Sequence, residues 1–532
     1  MPVFSADADS LTAIVAMGRW EGKSHSPIVI MVIMMVSMLR LLAAVNLASA
    51  VSAFIAPASA SFAHRQQNNN EFQLHASADP NKDDDNTSSS APRICVVGGG
   101  FGGLNTALAL NDLPWPSDMK PTITLLDKKE RFVFLPLLYE LCVDDASPEE
   151  VAPTFKSLLE GTDIEFVQCG VDGADVTTNT LYTSTKKMPF DAMVIATGAD
   201  LNLASVPGAE EYAIPFYTIE QCYELRKQFN VLDSISESRK GGNPLKVVII
   251  GGGYSGVEMS LNTLERLGGQ DKVEVTLVHR GDEILQYATD FNRKTGQESL
   301  KKASIKVMTN TNVVEITSAE NIEGQSDNGQ KCQVKVTPST SGDETILEAD
   351  LLIWTAGATS TNTQRGVLNS ILPRDESGRL VTGKLMRVRD TENVFAVGDC
   401  SRARQVPYAA TAQVAIQQAP VAAWNVFATV MNKRGRRDRS GEEYKLLPFE
   451  YLDLGEMMTL GSDDATISSL GGLVQLNGPA ASIARRLIYA VRMPTVRQGV
   501  TAAVESTGRR VSSARQGRQD QKRRKGKLVD WK

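Results

Sequence analysis

Apolar residues are spaced along this chain in three rhythms, and each predicts a different element. Short runs of β-branched and aliphatic residues end abruptly in glycine, as in "RICVVGGGFGG" and "LKVVIIGGGYSG". Such a run, bounded by a turn, predicts a strand covered on both faces, as in a parallel sheet. Between them "ITLLD" and "DAMVIATG" alternate with helical stretches such as "LNTALAL", which predicts βαβ units. From Ser318 to Asp350 the chain is polar, with Gly324, Asn328 and Gly329, and predicts hairpins. "LLIWTAGA" and "VFAVGDC" return to buried strands, and Asn432 to Lys445 predicts an exposed loop. Near the C-terminus, Ile483, Ala484, Leu487, Ile488 and Val491 recur at helical spacing, with Arg485, Arg486, Tyr489 and Arg492 between them. This predicts a short basic amphipathic helix lying on a lipid surface, with a core helix that closes the first domain and keeps its arginines in solvent as the alternative.

The first ninety residues follow none of these rhythms. Pro27 to Leu39 is almost wholly apolar but too short to cross ~30 Å of hydrocarbon, and Ala50, Ser52 and Ala53 resemble a peptidase site. With Phe54 just after the expected cut, "ASAVSAFIAP" looks like a bipartite plastid presequence; an uncleaved anchor is the alternative. Residues 65–91 are rich in Asn, Asp and Ser and read as a linker.

Charge and rare residues then narrow the chemistry. The net charge of −6 hides a basic tail, in which Arg497 to Lys532 holds 11 Lys or Arg against 3 Asp or Glu. The six cysteines, Cys95, Cys142, Cys169, Cys222, Cys332 and Cys400, form no C-x-x-C pair, which argues against a zinc ribbon or a redox dithiol. After residue 75 the only histidine is His279, so a histidine-based metal site or a Ser-His-Asp triad is nearly excluded. No metal is expected.

The first glycine fingerprint is Gly98-x-Gly100-x-x-Gly103, with Asp127 ending the next strand. It offers a tight turn, close backbone approach to a pyrophosphate and a helix N-terminus, while Asp127 would bond a ribose or cap a turn. Alone it is weak, because S-adenosylmethionine enzymes and structural turns share it. Its recurrence as Gly251-x-Gly253-x-x-Gly256 points to two nucleotides face to face, a flavin and a nicotinamide, rather than a redundant repeat. Ala196 and Gly198 in "ATG", Gly357 in "AGA", and Gly398 and Asp399 in "VFAVGD" end strands where the chain would pass a nucleotide; Asp399 would bond ribityl hydroxyls. After the second unit's second strand stand His279 and Arg280 instead of an acidic residue, which admits a 2′-phosphate and hence NADPH as well as NADH; Asp282 and Glu283 lie nearby, and a merely solvated basic pair is the alternative.

Over about Arg93 to Pro494 the chain resembles the type II NAD(P)H:quinone oxidoreductases, in the style of their plastid and cyanobacterial branch of C1-type dehydrogenases and demethylphylloquinone reductases. The resemblance is carried by "RICVVGGGFGGLNTAL", "ERFVFLPLLYEL", "PFYTIE", "YLDLGEMMTLG" and "ARRLIYAVRMPT". It implies non-covalent FAD, a nicotinamide donor, a membrane quinone of plastoquinone or phylloquinone type as acceptor, monotopic membrane contact and no proton pumping. It further implies that "TAQVAIQQA" borders the quinone. Gln413 and Gln417, four apart on one helix face, would offer amide donors to a quinone carbonyl, with a polar solvent face as the alternative. Where some members carry His, this chain has Ile416. Glu258 matches the family's carboxylate near the nicotinamide–flavin contact, or else complements a helix dipole. Two further departures from the family pattern are the basic pair at His279 and Arg280 and the missing glycine in "YELCVDDASPEEVA".

The expected architecture is α/β, with two Rossmann-like domains for FAD and NAD(P)H and a C-terminal membrane-associating region. The expected segments are a plastid presequence over 1–64, a linker over 65–91, the FAD domain over 92–243 and 351–440, the NAD(P)H domain over 244–350, a membrane-contact region over 441–496 and a basic tail over 497–532. Glu258, Gln413 and Gln417 are the candidate catalytic residues. The expected location is a plastid membrane surface, with the mitochondrial inner membrane as the alternative; a homodimer is compatible and no nucleic-acid partner is expected. Competing functions are a sulfide:quinone oxidoreductase, which needs relay cysteines, and a non-enzymatic flavoprotein related to apoptosis-inducing factor.

Overall fold

The computed structural model describes residues 91–494 apart from 144, 239–242, 320–330, 340–341, 361–371 and 406, all within one compact unit. The segments expected to be a presequence and a basic tail, and most of the expected linker, lie outside the described residues.

The chain begins its first sheet with β1 (Arg93–Val97), helix α1 (Phe101–Asp112) and β2 (Thr122–Asp127). A short helix α2 (Leu138–Cys142) precedes β3 (Ile164–Gln168); an antiparallel trio follows, β4 (Val171–Asp175), β5 (Thr180–Thr183) and β6 (Lys187–Pro189); then β7 (Ala192–Ile195) returns to the sheet. β1 is flanked in parallel by β2 and β7. Along β1 the side chains alternate: Ile94 and Val96 enter the central core, while Cys95 and Val97 join a second cluster beneath the sheet with Phe190, Met193 and Ile195. Both faces are covered, which is why the strand reads as uninterrupted apolar sequence.

The second sheet borrows its edge from upstream. β8 (Ile214–Pro215) comes before the long helix α3 (Ile219–Ser238), and only then do β9 (Leu245–Ile250), α4 (Tyr254–Arg266), β10 (Val273–Val278), α5 (Asp290–Lys302) and β11 (Lys306–Met308) follow. Next come β12 (Thr311–Ser318), β13 (Cys332–Pro338) and β14 (Thr345–Ala349), an antiparallel sheet where hairpins were predicted. β15 (Leu351–Trp354) closes the parallel order β11-β10-β9-β15-β8. This corrects the expected boundaries: 351–354 belongs to the second sheet, not to the returning part of the first domain, and so does the Ile214–Pro215 pair.

β16 (Val394–Ala396) completes the first sheet in the order β16-β7-β1-β2-β3. The crossings between the two units run side by side, with Ala199–Leu201 paired antiparallel to Ala358–Ser360. Helix α6 (Ala412–Lys433), capped by the Thr411 hydroxyl on Val414 N–H at 3.2 Å, packs along α1. The C-terminal region is a three-stranded antiparallel sheet, β17 (Glu456–Thr459), β18 (Ala465–Ser469) and β19 (Val474–Asn477), followed by helix α7 (Gly478–Val491). Among the described residues no helix is long and apolar enough to cross a membrane.

Helix α7 turns part of its basic face inward, against the sequence expectation. Ser482, Arg485, Ile488 and Tyr489 are buried, while Ile483, Ala484 and Leu487 are half-exposed. Arg485 is 1% exposed, because its guanidinium binds the buried Glu140 of α2 at 2.6 Å and Arg486 binds the same carboxylate at 3.3 Å. Tyr489 packs its ring 5.4 Å from that of Phe134. The basic face docks because α2 supplies its counter-charge; Ile488, assigned to the lipid side, is buried as well.

Candidate functional site

The two glycine turns are built alike, each at the C-terminal end of a central parallel strand, where α/β sheets bind ligands. Gly98 and Gly251 have φ of +99° and +116°, a left-handed conformation natural only to glycine. A Cβ on Gly103 would stand 1.7 Å from the Gly98 carbonyl oxygen, and one on Gly256 would stand 1.7 Å from that of Gly251. Each helix can therefore meet its strand only through glycine. Gly100 and Gly253, by contrast, face open space, and neither α1 nor α4 has a side-chain cap at its N-terminus. Uncapped N–H groups over an open turn form the cradle a pyrophosphate fills, so the residues fit two dinucleotides.

Around the first cradle, Asp127 accepts the Gly99 N–H at 2.6 Å and the Lys129 N–H at 2.8 Å. Its carboxylate thus holds the glycine turn, and a ribose would meet its remaining lone pairs. Ala196 comes directly after β7, packs beside Gly103 and donates its N–H to Val97 O; Gly198 follows with φ +70°. Gly398 (φ +72°) donates its N–H to Gln418 Oε1 at 2.7 Å, which fixes the β16 turn to α6. Gln418 is 4% exposed and escaped the sequence reading, since nothing in "AIQQA" separates it from Gln417. Asp399 makes no hydrogen bond or ion pair with the described residues, and burial raises its pKa. Such a carboxylate fits a ligand that brings its own hydroxyl donors.

Around the second cradle His279 occupies the place of Asp127. Its Nδ1 accepts the Gly252 N–H at 3.1 Å, so it too braces the glycine turn, and burial lowers its pKa. Arg280 is exposed and forms no ion pair among the described residues. Gly357 (φ +76°) accepts the Asn202 N–H at 3.0 Å and ties the two crossings together.

The C-terminal sheet closes over α4. Glu258 accepts the Thr459 N–H at 3.0 Å, and Glu456 accepts from Tyr254 OH and from Asn292. Burial lifts Glu258 to about 7, against the opposing pull of the Thr459 N–H and Arg485, so near neutrality its carboxyl exists in both forms.

Gln413 and Gln417 do share a face of α6, and it faces the chain itself. Gln413 Nε2 donates to Tyr451 OH at 2.6 Å and to Gly455 O at 3.3 Å, while its Oε1 accepts from Leu454 N–H. Gln417 makes a double bond pattern with Leu452, donating to its carbonyl at 2.9 Å and accepting from its N–H at 3.0 Å. Both amides thus hold segment 451–455. Nearby, Leu452, Leu470 and Leu473 are 51%, 45% and 85% exposed.

All six cysteines are buried, and burial raises the pKa of Cys169 and of Cys400, which follows Asp399. Neither is suited to relay sulfur. Among the described residues no cluster could hold a metal ion.

Residues 92–423 match the family model of the pyridine nucleotide-disulphide oxidoreductases. The chain is 36% identical to demethylphylloquinone reductase NdbB of Synechocystis sp. over 78% of this chain and 95% of that protein. It is 37% identical to the alternative NAD(P)H-ubiquinone oxidoreductase C1, chloroplastic/mitochondrial, of Arabidopsis thaliana, over 76% of this chain and 78% of that protein. The fold matches the structure of NDH2 from Plasmodium falciparum in complex with NADH at a TM-score of 0.66 and 17% identity, covering 79% of this chain and 98% of that one. With paired glycine cradles, no cysteine relay and these relatives, the chain belongs to the pyridine nucleotide-disulphide oxidoreductase family and, within it, to the type II NAD(P)H:quinone oxidoreductases.

Proposed function

We propose that the protein takes hydride from NAD(P)H onto FAD held by the first unit and passes two electrons to a membrane quinone of plastoquinone or phylloquinone type, without proton pumping. The observation that carries this reading is the pair of matching cradles with open Gly100 and Gly253, in a chain related to quinone reductases. Bound there, FAD supplies a two-electron carrier between an obligate hydride donor and a quinone. The residues' part is placement and proton handling. The α1 and α4 N-termini hold the pyrophosphates, Asp399 accepts from flavin-side hydroxyls, and Arg280 pairs with a 2′-phosphate. Glu258 holds an exchangeable proton near the nicotinamide–flavin contact. Gln413 and Gln417 act by holding segment 451–455 as a wall of the quinone site.

The proposed setting is the surface of a plastid membrane. Leu452, Leu470 and Leu473, with the half-exposed Ile483 and Leu487, offer apolar side chains to lipid in place of the arginines that α7 turns inward. Purified protein should be yellow and should reduce a short-chain quinone with NADPH; a colourless protein, or one inert toward quinone, overturns the reading. Leu470→Ser with Leu473→Ser should lower recovery with liposomes in flotation while a water-soluble quinone is still reduced.

A further inference from the structure

Between α2, α4 and α7 runs a line of ionisable groups of which the site described above uses only Glu258, the inner end. Glu140, 2% exposed, accepts Arg485 Nη2 at 2.6 Å and Tyr139 OH at 3.0 Å on Oε1, and Arg486 Nη2 at 3.3 Å on Oε2. Arg486 reaches on to Asp145 at 3.9 Å, whose side chain is 38% exposed to solvent. At the inner end Arg485 stands between the rings of Tyr139 and Tyr489, at 5.5 Å and 5.2 Å, and acts on the Glu258 carboxyl. Three buried donors on this line, Arg485 Nε, Arg485 Nη1 and Arg486 Nε, have no hydrogen-bond partner among the described residues. Buried guanidinium donors are rarely left empty, and ordered water is the usual partner.

We infer that this ladder is a proton inlet: a proton from bulk water enters at Asp145, passes along water held by the arginine donors and Glu140, and arrives at the Glu258 carboxyl, which gives it up to the reduced quinone and is then reloaded from the ladder. The inference rests on the quinone-reductase reading, which creates the demand. The overall reaction is NAD(P)H + H⁺ + quinone → NAD(P)⁺ + quinol. Two electrons and one proton leave the nicotinamide as hydride, and the second proton of the quinol must come from water. No other oxidant or reductant is needed.

The charges are ordered for this task. Around Glu258 stand Arg485 and Tyr489 of α7, Tyr139 and Glu140 of α2, Tyr254 of its own helix, and the Thr459 N–H of β17. Around Asp145 stand Arg486, Glu140, Glu265 and Asp463. Burial and the three carboxylates raise Asp145 to about 6 against the pull of Arg486, and Glu258 lies higher, at about 7. Both stations are thus raised by burial into the range where a carboxyl can take up and release a proton near neutrality. Both tyrosines are held above their ordinary range by burial, stay protonated and act as bridges.

The test uses the full holoenzyme with Asp145→Asn, a partly exposed position where the fold should survive, and Arg486→Lys as a second variant that keeps the charge. In stopped flow above pH 7, reoxidation by a short-chain quinone should slow about tenfold or more in Asp145→Asn, with a larger solvent isotope effect. Reduction by NADPH consumes no proton and is the control. Small weak acids such as formate or azide should restore reoxidation in Asp145→Asn but not in Glu258→Gln, which lacks the terminal station; a merely structural defect would not be rescued. Independently of turnover, the infrared carboxyl band lost in Glu258→Gln should gain its proton more slowly after a pH jump in Asp145→Asn, at an unchanged final level. Unaltered reoxidation and unaltered band kinetics in both Asp145→Asn and Arg486→Lys overturn the inlet. A wild type that reduces no quinone overturns the functional reading instead, and the infrared kinetics still decide the ladder.

Discussion

At Gly98 and again at Gly251 the chain turns through a left-handed glycine, meets a second glycine at a separation no Cβ could occupy, and opens an uncapped helix N-terminus. The two turns differ in the side chain that braces them. Asp127 holds the first turn through a carboxylate, and His279 holds the second through a buried imidazole nitrogen. The bracing works equally well either way, since each group accepts one backbone N–H. What changes is the charge presented to a nucleotide's ribose, negative in the first unit and neutral in the second, where Arg280 adds a cation. One structural role can thus be kept while ligand preference is altered.

The largest effects should come from testing whether the two turns are independent. Gly103→Val and Gly256→Val each force a branched side chain into backbone, at about 3 kcal/mol or more, roughly a hundredfold in affinity. The first should give colourless protein. The second should stay yellow yet fail to bleach with NADPH; loss of flavin from both variants, read by absorbance, would show that the turns are coupled.

Next in size is the cation. Arg280→Glu should raise the KM for NADPH by roughly 10- to 100-fold and that for NADH by about twofold at most, because a charge-assisted contact is worth about 1.5–3 kcal/mol. Equal losses with both donors would remove Arg280 from the 2′-phosphate.

His279→Asp makes the second turn resemble the first, and should move preference toward NADH by about tenfold through the added carboxylate. The wild type should also show a pH signature. Burial holds His279 below the ordinary value of about 6.5, so the neutral ring that accepts from Gly252 persists above that value. Its contribution is lost as the pH falls through the depressed value, since a proton on Nδ1 abolishes the acceptor. The KM for NADPH should therefore climb several-fold on the acid side in the wild type, and a flat profile would contradict the bracing role.

The smallest effect belongs to the quinone side. Gln417→Leu removes two hydrogen bonds to Leu452, about 1–3 kcal/mol in all, and should slow reoxidation by quinone roughly threefold to tenfold. A slowed reductive half-reaction in stopped flow would place segment 451–455 beside the nicotinamide instead.

Much of this was legible in the primary structure. The strands at Arg93–Val97 and Leu245–Ile250 announce themselves by uninterrupted apolar sequence running into glycine, and the equivalence of Asp127 and His279 follows from their place after the next strand. The shared face of Gln413 and Gln417 was legible too. What that face meets was not, because segment 451–455 lies 35 to 42 residues away and carries no marker for a glutamine partner. Nor could a two-residue strand, Ile214–Pro215, signal that it would leave its own domain and edge the second sheet.

The sequence by itself determined the two cradles, because steric exclusion of a Cβ and the dipole of a helix start act over a few residues. It also determined the alternation that puts Ile94 and Val96 on one side of the sheet and Cys95 and Val97 on the other. Only the tertiary structure decided which face of α7 turns inward. Helical spacing separates apolar from charged residues, but whether a charge lies in solvent or core depends on a counter-charge elsewhere. For Arg485 that counter-charge is Glu140, 345 residues back, where two tyrosine rings complete a pocket that makes burial of the pair affordable.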